Sequence, residues 1–491
     1  MSVHSAILKQ LLLHPRSVAL TDDRRTTRNI ELVVGASHIA SKIDSVNRTD
    51  TVGIMLPTSG AFPAAALAGF SLGRTLVPLN YLLKQDELQY VLDDCGTDTL
   101  VTVKPMLEHL GYTPRCKNIV LLDELDFSGF PDLRWPASKE DDDLAVLLYT
   151  SGTSGKPKGV MLTHGNILAN MRQIEHWVDF SRADSMLGVL PQFHSFGMTV
   201  LTFLPLVIGI KAVYTAKFIP QKIIRLIREH RPTVMVAIPS MYNALLSVKD
   251  AHADDFASLR YIVSGGEPLP EAVLEKYRER FGVTINEGYG LTETSPVTNW
   301  CRPHEFRLGS VGRPLPEIDQ RIIDTATGRS LPPNTDGEVW IKGPNVMRGY
   351  FNLPDETTKC MTPNGFFRTG DIGRLDDDGH LHITGRLKEM LIVGGENVFP
   401  REIEEVLEKH PSVNAAGVVG LMDPVRGELP LAFVEMRDGA AFDRQTLITH
   451  CRASLAGYKV PTDIRVMEAL PRNATGKVMR RELKKLASEK I

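Results

Sequence analysis

The chain has 491 residues, of which 43% are hydrophobic and 23% are charged, and its formal net charge is −3. This length exceeds what one hydrophobic core usually serves, so two or more domains are expected, and the nearly balanced charge gives no indication of a nucleic-acid-binding protein. Five dispersed cysteines, with no Cys-x-x-Cys pair, argue against a disulfide framework or a zinc site and favour a reducing, cytoplasmic setting.

The first predicted element is an amphipathic helix over Ile7–Leu13, which lacks the small-residue cleavage site of a signal peptide. The longest apolar stretch, Met198–Ile210, contains Pro205 and Gly209 and is too short for a membrane span, so it is predicted to be a buried core element. We therefore predict no transmembrane segment, and a peripheral contact with a membrane surface stays open.

Strands and helices alternate through the first two thirds of the chain. The predicted strands are the apolar runs Thr51–Leu56, Thr75–Pro78, Thr233–Ile238 and Leu259–Val263. The predicted helices between and around them are Phe62–Leu72, Lys222–His230 and Glu271–Phe281. This alternation predicts layered α/β subdomains with mostly parallel sheets. Ligands of such sheets bind beyond the carboxyl ends of the strands.

The pattern changes from about Ile318 to short strands separated by turns. Val339–Ile341 and His380–Thr384, the latter after the turn Asp376–Gly379, predict a small antiparallel, β-barrel-like section. The last hundred residues predict a small α+β domain. Its amphipathic helix is Arg401–Lys409, with Ile403, Val406 and Leu407 facing inward, and its strands are Val413–Val419 and Ala432–Met436.

The most informative motif is Tyr-Thr-Ser-Gly-Thr-Ser-Gly-Lys-Pro-Lys-Gly-Val, which spans Tyr149–Val160 and follows an apolar strand. Glycine lets backbone N–H groups approach an anion, hydroxyls donate further hydrogen bonds, and lysine supplies charge. The loop is not a Walker A motif, because only two residues separate Gly152 from Gly155. Taken alone, it fits either a phosphate-binding loop or a flexible linker.

Further motifs decide between these two readings. In chain order they are Pro191–Gly197, Ser264–Pro268, Gly288–Thr294, Gly337–Gly343, Arg368–Gly373, Gly385–Glu389, Gly394–Pro400 and Pro471–Lys477. Together with the loop they resemble the adenylate-forming superfamily of acyl-CoA synthetases, adenylation domains and firefly luciferase, and most closely its fatty acyl-CoA ligases. The matched motifs, which stand in the order typical of that superfamily, span most of the chain.

The resemblance implies two domains and two half-reactions. Residues 1–387 would form the AMP-binding domain, and residues 388–491 would form a mobile domain that carries the catalytic lysine. A carboxylate would attack the α-phosphate of ATP, with Mg²⁺ present, and coenzyme A would then displace AMP to give a thioester.

The resemblance also assigns roles to individual residues. It gives catalysis to Lys477, Thr292, Glu293 and His194, with His194 as the gate between the ATP and acyl sites and Glu293 as the magnesium ligand. Residues implied to hold phosphates are Thr150, Ser151, Gly152, Thr153, Ser154, Gly155 and Lys158; those near adenine are Gly266, Glu267, Pro268, Gly288, Tyr289 and Gly290; those near ribose are Asp371 and Arg386; and those of the hinge and pantetheine channel are Lys388, Gly394, Gly395 and Glu396.

The sequence says less about the acid. Val234–Pro239 is uniformly apolar, which favours a carboxylate with an apolar tail, and Phe196, Met198, Met241 and Tyr242 are candidate pocket walls or plain core. We predict a medium- or long-chain fatty acid, with an aryl acid as the alternative substrate and acyl carrier protein as the alternative acceptor. A non-catalytic nucleotide- or acyl-binding relative, and a monomer or a homodimer, also stay open.

Replacing Lys477 tests the implied chemistry. Lys477→Ala should abolish ATP–pyrophosphate exchange, because the ammonium would no longer offset charge in the adenylation transition state. Thioester formation from supplied acyl-adenylate should be largely spared. Exchange at the wild-type rate would remove Lys477 from the mechanism.

Overall fold

The computed structural model describes residues 1–132, 134–150, 156–423, 427–472 and 478–488. Its first part alternates helices with short strands, as predicted. The elements are α1 Val3–Leu13, β1 Val18–Thr21, β2 Thr26–Arg28, α2 Asn29–Val46, β3 Thr51–Ile54, α3 Ala61–Ser71, β4 Thr75–Pro78, α4 Gln85–Cys95, β5 Thr99–Thr102, α5 Lys104–Leu110 and β6 Asn118–Leu121.

The middle of the chain continues the alternation and contains one π-helical segment. The elements are β7 Leu144–Thr150, β8 Lys158–Thr163, α6 His164–Trp177, β9 Ser185–Gly188, a π-helix Phe196–Phe203, α7 Leu204–Ile208, β10 Lys211–Tyr214, α8 Pro220–His230, β11 Val234–Ala237, α9 Pro239–Leu245, α10 Ala253–Phe256, β12 Tyr261–Ser264, α11 Glu271–Phe281, β13 Asn286–Gly290 and β14 Val297–Trp300.

The remaining elements are mostly strands. They are β15 Asp319–Ile323, β16 Gly337–Lys342, β17 Gly349–Tyr350, α12 Pro354–Cys360, β18 Phe367–Leu375, β19 Leu381–Arg386, β20 Leu391–Val393, β21 Glu396–Val398, α13 Pro400–Glu408, β22 Val413–Asp423, β23 Gly427–Met436, α14 Arg444–Ser454, β24 Asp463–Met467 and α15 Arg480–Ser488. Short 3₁₀ turns cover Leu122–Glu124, Thr292–Thr294, Pro303–Glu305, Leu387–Glu389 and Gly457–Lys459.

Two large sheets carry the first two thirds of the described chain. One has the strand order β14-β13-β12-β11-β9-β10-β1-β2, and the other has the order β17-β8-β7-β4-β3-β5-β6. Their inner strands pair in parallel, whereas β2, β14, β8 and β17 pair antiparallel at the edges. The prediction of layered α/β subdomains with mostly parallel sheets is confirmed.

The strands β15, β16, β18 and β19 form the predicted antiparallel section, in that order. The register of β18 with β19 places Asp371 directly opposite Arg386. This pairing matters for the site, because it joins the two residues that the resemblance assigns to the ribose.

The last sheet, built from β20 to β24, is covered on both faces. Alternate residues of β22 and β23 belong to separate cores: Ala416 and Val434 pack with α13 and α14, while Val419 and Phe433 pack with α15. This period of two is what a strand covered on both sides requires. The predicted small α+β domain is therefore present.

The boundaries of some elements differ from the sequence prediction. Helix α1 begins four residues earlier than predicted, since the Ser2 side chain accepts a hydrogen bond from the Ser5 N–H and caps the helix. Met198–Ile210 is buried as predicted, but the π-helix and α7 divide it. Val406, predicted to face inward, is only half-buried, whereas Ile403 and Leu407 are fully buried.

The residues that flank α13 contact the preceding part of the chain at two points. Phe399 lies over Gly385, where an added Cβ would come within 2.8 Å of the phenyl ring. Lys409 Nζ lies 3.3 Å from Glu271 Oε2 across the two regions. No helix in the described part of the chain combines the length and apolar character that a membrane span needs.

Candidate active site

The predicted nucleotide-binding segments meet at one edge of the larger sheet. Because β9, β11, β12 and β13 are parallel neighbours, the segments that follow their carboxyl ends lie side by side. These segments include His194, the Gly265–Pro268 loop and Thr292–Thr294. The geometry matches the rule for ligand sites in open α/β sheets.

Asp371, on β18 of the antiparallel section, meets Tyr289 of β13 at this edge. Its carboxylate is only 3% exposed, and Arg386 Nε lies 2.8 Å from Oδ1. The Tyr289 hydroxyl donates to Oδ2 at 2.6 Å. A carboxylate offers about four lone-pair sites, so Asp371 keeps capacity to accept from a pair of ribose hydroxyls.

The electrostatics of this trio follow from burial and from the Asp371 charge. Asp371 raises the pKa of the Arg386 guanidinium above its usual value. Burial, and next the Asp371 charge, hold the pKa of the Tyr289 phenol well above its usual range. Both groups therefore remain donors at neutral pH. Arg386 is not the surface salt bridge that an isolated arginine would suggest.

Glu293 lies on the short turn after β13. Its Oε1 accepts a hydrogen bond from the Tyr350 hydroxyl at 2.7 Å, and its backbone carbonyl accepts from the Met347 N–H at 2.8 Å. Among the described residues there is no cluster of three or more His, Cys, Asp or Glu side chains that could cage a metal. A single carboxylate fits Mg²⁺ that is otherwise held by phosphate oxygens and water.

Thr292 lies close to the residue that follows His194. Ser195, next to His194, places its Oγ 3.4 Å from Thr292 Oγ1. His194 Nε2 is buried and has no hydrogen-bond partner among the described residues. Burial lowers the pKa of His194 to about 4, so the imidazole is neutral at neutral pH. An uncharged ring with an unpartnered nitrogen suits a gate that lies against a ligand.

Lys158 forms an ion pair. Its Nζ lies 2.5 Å from Glu356 Oε2 of α12 and 5.3 Å from the ring centroid of Tyr350. Lys359 also pairs with Glu356, and the two lysines lower the pKa of the Glu356 carboxyl to about 2. The predicted phosphate-binding lysine is thus already neutralised by a carboxylate that the sequence did not single out.

Glycine is required at two of the predicted nucleotide-binding positions. A Cβ on Gly290 would lie 1.9 Å from the Pro296 carbonyl oxygen, and Gly266 adopts a φ of +85°. Glu267 is half-buried and Pro268 is exposed beside it. Gly288 follows in β13, where it pairs with Trp300.

The candidate walls of an acyl pocket separate into two groups. Met198 and Tyr242 are fully buried, and the Tyr242 hydroxyl donates to the backbone carbonyls of Met235 and Val263, so they belong to the core. Phe196 and Met241 are half-buried. A Cβ on Gly265 would lie 2.9 Å from the Phe196 ring, which places Phe196 against the loop that is predicted to bind the adenine.

The C-terminal motif residues lie at a hairpin. Gly394 and Gly395, with φ values of +61° and +89°, make the turn between β20 and β21, and Glu396 opens β21. All three are exposed. Partial burial, and next the charge of Arg386, lower the pKa of Lys388, which lies in the 3₁₀ turn directly after β19.

Some predicted residues fall outside the described part of the chain, namely Ser151–Gly155 and Lys477. Thr150 closes β7 directly opposite Lys158 in β8. Sequence reasoning missed Tyr350 and Glu356. The Gly-Tyr pair at 349–350 was the available signal, but no pattern linked it to Glu293.

Known protein families and individual proteins resemble this chain over most of its length. The model of the AMP-binding enzyme family matches residues 9–351, and that of the AMP-binding enzyme C-terminal domain matches residues 402–477. A long-chain-fatty-acid–CoA ligase of Bacillus subtilis is 32% identical over 90% of this chain and 86% of its own length. A feruloyl-CoA synthase of Amycolatopsis is 34% identical over 89% of this chain and 88% of its own length.

A solved structure of a coenzyme A synthetase has the same fold as this chain. The o-succinylbenzoate coenzyme A synthetase of Bacillus subtilis, in complex with ATP and a magnesium ion, superposes with a TM-score of 0.87. It is 32% identical, and the match covers 98% of this chain and 99% of that chain.

The α/β layers, the buried Asp371 carboxylate paired with Arg386, and the carboxylate at 293 are the features expected of an adenylate-forming enzyme. The chain belongs to the AMP-binding enzyme family. It is an acid–thiol ligase that makes acyl- or aryl-CoA through an acyl-adenylate.

The Lys158–Glu356 pair predicts an effect on ATP affinity. Glu356→Gln should lower the KM for ATP by about threefold, because it removes the carboxylate that would compete with the phosphates for the partly exposed Lys158. Steady-state exchange kinetics at saturating acid measure this. The matched control is Asp355→Asn, which removes the same charge from the neighbouring, exposed position. An increase in KM would mean that Glu356 positions Lys158 for ATP instead of competing with it.

Proposed function

We propose that this enzyme activates a medium- or long-chain fatty acid with ATP and transfers the acyl group to coenzyme A. The observation that carries the nucleotide half is the buried Asp371 carboxylate, held by Arg386 and Tyr289 at the edge where three predicted nucleotide segments meet. The uncharged segment Val234–Pro239 and the neutral imidazole of His194 support a fatty acid as the substrate.

The first half-reaction forms a mixed anhydride. A carboxylate oxygen of the acid attacks the α-phosphorus of ATP, and the bond to the bridging oxygen of pyrophosphate breaks. Negative charge accumulates on the phosphates, so the protein's task is to align the reactants and to supply positive charge. Asp371 would orient the ribose, Thr292 would contact the α-phosphate, and Lys477 would reach the attacking carboxylate.

Magnesium would have one protein ligand in this arrangement. Glu293 would hold the ion, which when bound neutralises phosphate charge. Thr150, Lys158 and the loop 151–155 would hold the β- and γ-phosphates. Gly266, Glu267, Pro268, Gly288 and Gly290 would border the adenine, with Tyr289 beside them.

The acyl side favours a tail without a second charge. Val234–Pro239 carries no charged side chain. The neutral His194 contributes no cation either, since its pKa is about 4. A buried charge without a partner costs several kcal/mol, so an apolar tail suits this side better than a dicarboxylate.

The second half-reaction uses the C-terminal region. We propose that the chain divides at Lys388, with residues 1–387 binding the nucleotide and residues 388–491 rotating between the half-reactions. Gly394, Gly395 and Glu396 would then border the channel for pantetheine. The thiolate of coenzyme A attacks the acyl carbon, and AMP leaves.

An aryl acid is the second candidate substrate, since the feruloyl-CoA synthase and the fatty-acid ligase are about equally similar to this chain, at 34% and 32% identity. Acyl carrier protein is the second candidate acceptor. A non-catalytic relative is disfavoured by the intact contacts of Asp371 and Glu293.

A paired substrate comparison tests the acid. Octanoate should support ATP–pyrophosphate exchange with a kcat/KM at least about a hundredfold above that of suberate, which has the same chain length and a second carboxylate. Palmitate and ferulate extend the panel, and thioester assays with coenzyme A and with acyl carrier protein follow. Preference for ferulate would favour the aryl alternative, and exchange with no acid would overturn the proposal.

The hinge is tested by separating the half-reactions. Lys388→Pro fixes φ and removes a backbone N–H, so adenylation should persist while thioester formation falls by about a hundredfold or more. Lys388→Ala is the matched control, because it removes the side chain and leaves the backbone free. Equal losses in both variants would assign the effect to the ammonium, and two intact half-reactions would disprove the hinge.

A further inference from the structure

Tyr350 lies between two groups that the proposed reaction needs. It ends β17, whose two residues pair antiparallel with β8, Tyr350 opposite Val160. The Arg348 N–H donates to Met161 O at 3.0 Å, and the Phe351 N–H donates to Gly159 O at 2.8 Å. The backbone of Tyr350 is therefore fixed against the strand that leaves the phosphate loop.

The hydroxyl of Tyr350 holds one oxygen of Glu293. The 2.7 Å contact to Oε1 is charge-assisted, and such hydrogen bonds are stronger than neutral ones. The same segment holds the main chain of Glu293, through the Met347 N–H. With Oε1 engaged, the carboxylate has a defined rotation that leaves Oε2 for another partner.

The ring of Tyr350 faces the lysine of the phosphate loop. Lys158 Nζ lies 5.3 Å from the ring centroid, within the range of a cation–π contact. The Tyr350 N–H also donates to Thr357 Oγ1 at 2.8 Å, which ties the tyrosine to α12 and thereby to Glu356. A single side chain thus contacts the predicted metal ligand with its hydroxyl and the predicted phosphate ligand with its face.

We propose that Tyr350 is a positioning residue for the metal–nucleotide complex. Its hydroxyl orients Glu293 towards the metal, and its ring supports Lys158 at the phosphates. This inference rests on the proposed adenylation reaction. It assigns the two functions to separable parts of one side chain, so phenylalanine should remove only the first and leucine should remove both.

The test compares Tyr350→Phe with Tyr350→Leu. Mn²⁺ binding in the presence of a non-hydrolysable ATP analogue is followed by electron paramagnetic resonance, and exchange kinetics are measured over a range of Mg²⁺ concentrations. Tyr350→Phe should weaken Mn²⁺ binding about tenfold or more, the scale of a lost hydrogen bond to a charged group. Its KM for ATP at saturating Mg²⁺ should stay within about twofold of wild type, whereas Tyr350→Leu should raise that KM by about threefold or more.

Tyr277→Phe is the matched control. Tyr277 lies on α11, and its hydroxyl is also buried and donates to the Tyr242 backbone carbonyl at 3.0 Å. This variant should bind Mn²⁺ as wild type does, even if its melting temperature falls. Melting temperatures of all variants show that each is folded.

The outcomes are distinguishable. Mn²⁺ affinity of Tyr350→Phe within twofold of wild type would overturn the inference. So would equal losses in Mn²⁺ affinity, the KM for ATP and the KM for the acid, because that result describes a general structural role. If wild-type enzyme binds Mn²⁺ and the analogue but exchanges with no acid, the proposed function fails while the role of Tyr350 in metal binding is still measured.

Discussion

A buried carboxylate with two donors connects the main parts of this enzyme. Asp371 belongs to β18 of the antiparallel section, Arg386 ends β19, and Tyr289 comes from β13 of the larger sheet. Removing either donor would leave a desolvated charge, which is strongly unfavourable. The three elements are therefore held in one arrangement, and the site forms where they meet. The 3₁₀ turn at Leu387–Glu389 starts directly after Arg386, so the boundary proposed at Lys388 lies next to this trio.

The second centre of the site is built from a different sheet. Strand β8 brings Lys158, β17 brings Tyr350, and α12 brings Glu356. Tyr350 reaches from there to Glu293 on the turn after β13. The proposed ribose end and the proposed phosphate end are consequently linked through β13, which carries Tyr289 and leads to Glu293. A displacement of β13 would disturb both ends together.

Local motifs predicted much of this arrangement, and long-range pairing explains the rest. The resemblance of the ordered motifs to the adenylate-forming superfamily pointed to Asp371, Arg386 and Glu293, because each belongs to a short motif that can be matched locally. Tyr350 and Glu356 were missed because their partners are far away in sequence: β17 pairs with β8, and no periodicity in the chain encodes that pairing. Tyr242 shows a second limit. An aromatic residue after an apolar strand fits a pocket wall or a core, and only its hydroxyl contacts with Met235 and Val263 identify it as core.

The pair between Lys158 and Glu356 has a consequence for which anions enter the site. A lysine whose charge is balanced by a carboxylate attracts a single small anion weakly, because the incoming charge meets a local dipole instead of a free cation. A polyphosphate that arrives with a divalent ion brings several charges at once and can compete with Glu356 for the ammonium. At the phosphate position proposed for Lys158, the pair would therefore favour an incoming ligand that carries several charges over a small anion that carries one or two.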